Sequence, residues 1–329
     1  MKDVHILELF GGIGSPRIAL RNIGIPVKAI DYVEIDEAAV RSYNAMFADE
    51  LKYKTQSVVG WNLKPDILIH GSPCQDFSIA GQRKGADKGS ETRSSLMWET
   101  IHIIQQMGEW KPKYVIWENV KNVLSKRMIA NFNRYQSEMA KMGYSNSYEI
   151  LDARDFGLPQ ARERVFTISV LDGEPFYFDD LIRSPMRNVW EFIQPDDEVP
   201  DYYTIKSPSM KKRIFPHNYD NAPIDMLSVI KNYAMTITTS QDRCPNSGII
   251  QRKNGEWRLL TELECWRLQG YSDEDFYRAL KANPRMPGKK SPALYKQAGN
   301  SIAVPIFESI FRKIILGETE SCGQLRFAI

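Results

Sequence analysis

The residue best placed for chemistry is Cys74, because it follows a short apolar run and a stiff turn. Residues 66–69 predict a buried strand, and Pro73 restricts the backbone that leads to the thiol. In an open α/β sheet, side chains just beyond a strand lie where ligands bind. A thiolate there could act as a nucleophile. A lone cysteine is more often a small buried apolar side chain, so Cys74 alone leaves both interpretations open.

Two carboxylates also follow predicted strands. Glu118 comes after the apolar run 113–117, and Glu34 comes after the run 27–33. Because the carboxyl ends of parallel strands meet at one edge of a sheet, we expect both acids to lie near Cys74. A single acid of this kind is more often a helix cap or a salt-bridge partner. The coincidence of three polar groups favours a site.

Arg162 and Arg164 precede another predicted strand. Alternating residues of an extended strand project from one face, so the two guanidinium groups are expected on the same side. They could hold a phosphate, a carboxylate or the edge of a base. The alternative is a solvated face.

A glycine-rich turn follows the first predicted strand. Gly12 and Gly14 lie in this turn, and Glu34 follows about twenty residues later, a spacing typical of nucleoside-binding βαβ units. Arg17 stands where the dinucleotide motif has a small residue. A cofactor with an adenosine and no pyrophosphate therefore fits better than NAD. The glycines alone are equally consistent with tight packing.

Hydrophobic periodicity predicts the elements that position these groups. Helices are predicted at 17–22, 37–48, 94–109, 128–142, 261–268 and 302–316, and strands at 4–10, 27–33, 66–69, 113–117, 148–151 and 165–170. Ser15 is expected to cap the first helix, and Thr261 with Glu264 predicts a capping box.

The composition is ordinary for a soluble globular protein, with 43% hydrophobic and 26% charged residues among 329. This length allows one large domain with a smaller one, or two of similar size. Four cysteines without a CxxC pair argue against disulfides or a zinc site. The chain has no apolar run as long as a membrane span and no signal-peptide core. We expect a cytoplasmic protein with no membrane segment and no metal.

The charge balance changes near residue 205. Residues 171–205 carry nine acids against two arginines, whereas residues 206–260 carry nine basic residues against four acids. Frequent prolines argue against long regular elements here, so we expect a second, irregular domain. Its basic run, Lys211, Lys212 and Arg213, is the expected phosphate contact, because the net charge of +2 requires a local patch. Basic runs are also common as solvated surface.

Six motifs, in order along nearly the whole chain, resemble those of the cytosine-5 DNA methyltransferase family. They are Phe10-Gly11-Gly12-Ile13-Gly14, Gly71-Ser72-Pro73-Cys74-Gln75, Glu118-Asn119-Val120, Gln160-Ala161-Arg162-Glu163-Arg164, the run from Arg258 to Glu264 with Gly270-Tyr271, and Gln297-Ala298-Gly299-Asn300-Ser301. The resemblance is to bacterial and phage members. It implies a Rossmann-like methyltransferase sheet with helices on both faces and a smaller, irregular target-recognition domain.

The resemblance also implies domain bounds and partners. The catalytic domain would span residues 1–182, the target-recognition domain 183–291, and a C-terminal segment, 292–329, would fold back onto the catalytic domain. The cofactor would be S-adenosylmethionine and the substrate double-stranded DNA. A monomer is expected, and a companion restriction endonuclease is a candidate partner.

Roles for individual residues follow from the same resemblance. Cys74 would add to carbon 6 of a flipped cytosine, Glu118 would bind ring N3 and the exocyclic amine, and Arg164, supported by Arg162, would bind the carbonyl oxygen. The expected cofactor residues are Phe10, Gly12, Gly14, Glu34, Asn300 and Ser301. The expected DNA contacts are Gln75, Ser78, Arg93, Lys211, Lys212, Arg213 and Arg258.

Two departures from the family and three alternatives remain. Ala80 stands where several relatives have a serine that fills the gap left by the flipped base, and residues 56–60 lack the aspartate that many relatives place near the adenine. A transfer-RNA methyltransferase of the same family is the nearest alternative. An inert DNA-binding protein is another, against which Cys74 and Glu118 argue. A thiol hydrolase would need a histidine partner, and His70 is close enough in sequence to serve.

Overall fold

The computed structural model describes residues 4–48, 52–58, 64–71, 96–215 and 226–320. Its centre is a six-stranded sheet in the order β2-β1-β3-β4-β7-β5. These strands are β1 (Val4–Leu9), β2 (Val27–Val33), β3 (Ile67–His70), β4 (Tyr114–Val120), β5 (Tyr144–Asp152) and β7 (Glu163–Leu171), with the two-residue strand β6 (Gln160–Ala161) just before β7. The first four strands in this order are parallel, and β7 runs antiparallel to both of its neighbours.

Helices cover both faces of the sheet because successive strand side chains point to opposite sides. Ile116 of β4 belongs to one apolar cluster and Trp117 to the other. The first cluster includes side chains of α1 (Ser15–Asn22) and α2 (Glu37–Met46), and the second includes side chains of α3 (Leu96–Gln106) and α4 (Ile129–Lys141). The predicted α/β sheet with helices on both faces is confirmed.

The chain beyond the sheet contains short elements and four C-terminal helices. They are α5 (Pro208–Lys211), β8 (Ile214–Phe215), β9 (Leu227–Ser228), β10 (Ala234–Met235), β11 (Ile249–Gln251), β12 (Trp257–Leu259), α6 (Glu262–Arg267), α7 (Asp273–Ala282), α8 (Pro292–Asn300) and α9 (Val304–Phe311). Strand β10 pairs with β6, and α9 packs against α1, so the last part of the chain returns to the first face of the sheet. Within the described ranges, no helix is both long enough and apolar enough to cross a membrane.

Among the local predictions that differ from the structure, two concern the start of α1 and the end of β4. Helix α1 begins at Ser15 itself, and the residue before it is Gly14 in the left-handed conformation. The Ser15 hydroxyl is instead bonded to the Tyr271 hydroxyl at 2.7 Å and accepts from the Ile302 amide. Strand β4 continues to Val120, beyond the predicted end at residue 117, because β7 pairs with it that far. By contrast, the predicted capping box of Thr261 and Glu264 is confirmed.

Candidate active site

The end of β3 brings the chain to the Glu118 carboxylate. Gly71 directly follows β3, and a Cβ atom added to it would lie 3.8 Å from Glu118 Oε2. Gly71 is three residues before Cys74 in the sequence. Cys74 itself and the predicted DNA contacts Gln75, Ser78 and Arg93 lie outside the described residues. The described part of the site is therefore its carboxylate, its arginines and the cofactor side.

Glu118 and Arg164 form an ion pair on one face of the sheet. Their strands are antiparallel, and Val120 rather than Glu118 is directly opposite Arg164, so the two side chains are diagonal neighbours. Arg164 Nε lies 3.2 Å from Glu118 Oε1, with side chains that are only 13% and 12% exposed. Burial raises the pKa of Glu118, and the positive charges of Arg164 and Arg162 oppose this rise. The result is a shielded acid whose proton affinity the two arginines reduce.

Arg162 lies close to Glu118 and is itself buried. Its guanidinium donates to the backbone carbonyls of Ile237 at 3.1 Å, Gly299 at 3.1 Å and Ser301 at 2.6 Å. Because of these bonds, the Arg162 guanidinium contacts protein backbone and does not point to the position of a base. Arg162 contributes to the pocket in two ways. Its positive charge lowers the pKa of Glu118, and its hydrogen bonds fix the backbone at Ile237, Gly299 and Ser301.

The glycine turn after β1 is tied to the end of β2 by Glu34. The Gly12 amide donates to Glu34 Oε2 at 3.0 Å, and the amides of Ile35 and Asp36 donate to Oε1 at 2.7 and 2.8 Å. A carboxylate has about four lone-pair positions, so these three bonds leave room for a hydroxyl donor. Glu34 is therefore fixed in place and still able to accept from a ribose.

The turn residues have different roles. Gly12 has φ +54°, and a Cβ added there would meet nothing within 4 Å, so the turn borders open space at this point. Gly14 has φ +75°, and its Cβ would come within 2.5 Å of the Tyr43 ring, so this glycine is required by packing. Phe10 has φ 57°, which is rare for an aromatic residue and is often found at functional sites.

Asn300 and Ser301 lie at the C-terminal end of α8, which is anchored to α2. Lys296 pairs with Asp36, two residues beyond Glu34, and the Ser42 hydroxyl donates to Gln297 Oε1 at 2.9 Å. Asn300 is exposed, and Ser301 is buried. These contacts bring the end of α8 to the edge of the sheet that carries Glu34.

Sequence reasoning missed two residues near this edge. Ile35 directly follows Glu34 and is 76% exposed, which offers an apolar surface beside the carboxylate. Glu8 lies on β1 beneath the glycine turn, and burial raises its pKa to about 7, while nearby Arg17 opposes the rise. Arg17 donates to the Tyr43 hydroxyl at 2.9 Å. An acid within the apolar strand 4–10 was the available signal for Glu8.

His70 does not provide a base for a thiol. Burial lowers its pKa to about 3, so the imidazole is neutral. Its Nε2 is bonded to the Tyr135 hydroxyl at 2.9 Å, and its ring stacks on Trp117. By strand alternation, His70 faces the opposite side of the sheet from Glu118. The hydrolase alternative therefore has no support from this histidine.

The predicted DNA contact at Arg258 is wrong. Its side chain is 1% exposed and forms two bonds to the buried carboxylate of Glu264, at 2.9 and 2.8 Å. Glu264 belongs to the capping box of α6, so Arg258 completes a buried structural network. The basic run differs, since Lys211 and Lys212 are exposed and Arg213 is half-buried. No group of three or more potential metal ligands occurs within the described parts of the chain.

Comparison with known proteins shows the family to which this chain is similar. The family profile described as C-5 cytosine-specific DNA methylase matches residues 4–316. The chain is 31% identical to the type II methyltransferase M2.ScrFI of Lactococcus lactis subsp. cremoris, over 94% of this chain and 99% of that protein. It is 25% identical to the orphan methyltransferase M.SPBetaI of Bacillus phage SPbeta, over 96% and 98% of the two chains.

Solved structures show the same fold. The S. pombe Dnmt2 methyltransferase aligns with a TM-score of 0.72 at 16% identity, covering 96% of this chain and 99% of that one. The Entamoeba histolytica methyltransferase EhMeth aligns with a TM-score of 0.73 at 19% identity, covering 95% and 98%. With a family profile matched over residues 4–316, this chain belongs to the C-5 cytosine-specific DNA methylase family.

Proposed function

We propose that this protein transfers a methyl group from S-adenosylmethionine to carbon 5 of a cytosine in double-stranded DNA. The observation that carries the proposal is the shielded Glu118–Arg164 pair beside Gly71, three residues before Cys74. An acid next to a cation can bind the N3, amine and carbonyl edge of cytosine together. Membership of the family supports the same reaction.

Cys74 and the two residues of the pair have distinct roles in this reaction. Cys74 adds as a thiolate to carbon 6, which makes carbon 5 nucleophilic. Glu118 donates its proton to N3 as negative charge develops, and Arg164 binds the carbonyl oxygen. After methyl transfer, a base removes the proton from carbon 5 and the thiol leaves. The cytosine must be flipped out of the duplex, because the pair is shielded within the protein.

The cofactor side fits an adenosine-containing group. Glu34 would hold the ribose hydroxyls, Gly12 would allow close approach of the backbone, and the exposed Ile35 side chain would pack on a flat ring. Phe10, Asn300 and Ser301 complete this edge. S-adenosylmethionine supplies an electrophilic methyl on a sulfonium centre. Gly14 contributes by packing on Tyr43, which fixes the start of α1.

DNA is favoured over transfer RNA as the substrate. Relatives that align over nearly the whole chain are type II and phage orphan methyltransferases, including one at 31% identity. The Dnmt2 likeness, at 16% identity, is one of fold. The proposed domain division is the one expected from sequence: 1–182 catalytic, 183–291 target recognition, and 292–329 returning to the catalytic domain.

We further propose that the protein acts as a monomer in the cytoplasm of a bacterial or phage-infected cell, in association with the nucleoid. A companion restriction endonuclease is the candidate partner. The function is tested by bisulfite sequencing of DNA from cells that express the protein. Protected cytosines at one recurring sequence are expected. Complete conversion at every site, with the protein folded and expressed, would contradict the proposal.

The basic run gives a prediction about DNA affinity. Replacing Lys211, Lys212 and Arg213 with glutamine should weaken binding to all duplex sequences about equally, because phosphates carry no sequence information. The slope of log affinity against log salt should shrink by about 0.9 for each lost phosphate contact. Fluorescence anisotropy across a salt series measures this slope.

Arg258→Met is the matched control for this prediction. It also removes one positive charge from the predicted set, but the charge is buried against Glu264. We expect an unchanged salt slope and a loss of about 3–5 kcal/mol in the free energy of unfolding, because Glu264 loses its partner. A triple variant with wild-type salt slope would show that the basic run is solvated surface.

A further inference from the structure

Four segments that are distant in sequence meet at a buried joint behind the candidate site. The joint consists of the side chains of Gln160 and Arg162 and the backbone groups they bind, at Ile237, Leu268, Gly299 and Ser301. It lies next to Arg164 in sequence and connects to the end of α8. Both side chains of the joint are buried, so their bonds are shielded from water.

Gln160 and Arg162 bind the two backbone polar groups of Ile237. The Ile237 amide donates to Gln160 Oε1 at 3.0 Å, and the Ile237 carbonyl accepts from Arg162 at 3.1 Å. Gln160 Nε2 also donates to the Leu268 carbonyl at 2.8 Å. Just before Ile237, β10 pairs with β6. The segment 234–237 of the proposed recognition domain therefore has a fixed register against the catalytic sheet.

The other end of Arg162 fixes the cofactor edge. Its second terminal nitrogen donates to Gly299 and to Ser301, at 3.1 and 2.6 Å. A Cβ added to Gly299 would come within 2.4 Å of the backbone of Thr238 and Thr239. The backbone of α8 is thus packed directly on the segment that follows Ile237. The Arg162 guanidinium therefore binds both the end of α8 and Ile237. At Gly299 no side chain separates the backbones of these two segments.

We propose that Gln160 and Arg162 are positioning residues that couple the cofactor edge to the recognition domain. Loosening the joint should weaken the binding of cofactor and of duplex DNA together, because its bonds hold the backbone of both Ser301 and Ile237. Neither residue needs to touch the reacting atoms. This inference rests on the proposed function, since it assigns these two surfaces to the cofactor and to DNA.

The test uses two conservative variants of the full chain. Arg162→Lys keeps the charge, but an ammonium cannot reproduce the planar fork that reaches Ile237 on one side and Ser301 on the other. Gln160→Glu keeps the acceptor for the Ile237 amide and loses the donor to Leu268. Calorimetry measures the Kd of S-adenosylhomocysteine, anisotropy measures the Kd of a target duplex, and a melting curve reports folding.

Arg252→Lys is the matched control. Arg252 is also largely buried and donates to the backbone carbonyls of Val199 and Pro200, but none of its bonds reaches the joint. We expect this variant to lower the melting temperature and to keep the wild-type Kd of S-adenosylhomocysteine. It separates a loss of general stability from a loss of positioning.

In the joint variants, we expect both Kd values to rise by comparable factors, on the order of fivefold or more, with a cooperative melt retained. The proposal is overturned if only one ligand is affected, if neither is, or if Arg252→Lys weakens S-adenosylhomocysteine equally. Failure of both variants to fold would also overturn it, since the joint would then be a folding element. Wild-type protein that binds both ligands but transfers no methyl group would contradict the proposed function instead.

Discussion

Replacing Cys74 with alanine is expected to abolish methyl transfer and leave duplex binding unchanged. Without a thiolate, carbon 5 of cytosine is not activated, whereas the contacts that grip the DNA backbone are distributed over other residues. Transfer of a radiolabelled methyl group measures the rate, and anisotropy measures binding. Residual turnover within about tenfold of wild type, or about 1.4 kcal/mol of barrier, would remove the assignment of Cys74 as nucleophile.

Cys244→Ala is the matched control for this variant. Cys244 is an exposed free cysteine, so its replacement makes the same chemical change without affecting the site. We expect wild-type turnover from this variant. Cys265 is unsuitable because it is fully buried, and its loss would leave a cavity in the core.

Glu118→Gln should lower the rate of methyl transfer by roughly 10²–10⁴, because the amide keeps the shape of the side chain and loses the transferable proton. The pH profile gives a second readout. Burial raises the pKa of Glu118, so the protonated form persists to higher pH than in an exposed carboxyl. The rate should fall as pH rises through this pKa. In the glutamine variant this falling limb should disappear.

Arg164 sets the pH at which the rate of methyl transfer falls. Its positive charge lowers the pKa of Glu118, so Arg164→Met should move the limb to higher pH as well as slowing the reaction. Glu163→Gln is the matched control, since Glu163 is an exposed neighbour paired with Lys121. It should retain the wild-type rate and profile. A falling limb that survives in Glu118→Gln would assign it to another group.

The sheet and the placement of Glu118 were predictable because they follow from local patterns. Apolar runs of strand length that lead to a carboxylate mark the carboxyl end of a strand in an open sheet. Although β4 continues two residues beyond Glu118, the end of β3 lies beside this carboxylate. The capping box at Thr261 was predictable for the same reason, since its partners are three residues apart. Patterns of this kind need no knowledge of distant contacts.

The errors concern side chains whose partners are set by the folded structure and not by a local sequence rule. Serine is a residue type typical of helix caps. The Ser15 hydroxyl is nevertheless bonded to the Tyr271 hydroxyl, a contact that no local rule anticipates. Arg258 lies in a basic region, yet it folds inward onto Glu264. The contacts of Arg162 with Ile237 and Ser301 likewise depend on tertiary packing. Charge and spacing alone do not distinguish a buried partner from a ligand.

The covalent mechanism on duplex DNA is tested most directly by trapping its intermediate. The adduct resolves only when the hydrogen on carbon 5 leaves as a proton, and fluorine at that carbon cannot leave as a cation. A target duplex that contains 5-fluorocytosine is incubated with the protein and S-adenosylmethionine, then denatured. A parallel reaction uses fluorinated RNA, and a third uses Cys74→Ala with the duplex.

We predict a denaturant-stable complex between wild-type protein and the fluorinated duplex, and none with Cys74→Ala, which has no thiolate to add. Capture of RNA in preference to the duplex would overturn the substrate while leaving the chemistry intact. Absence of a complex with either nucleic acid, from folded protein that binds the duplex, would contradict the covalent mechanism itself.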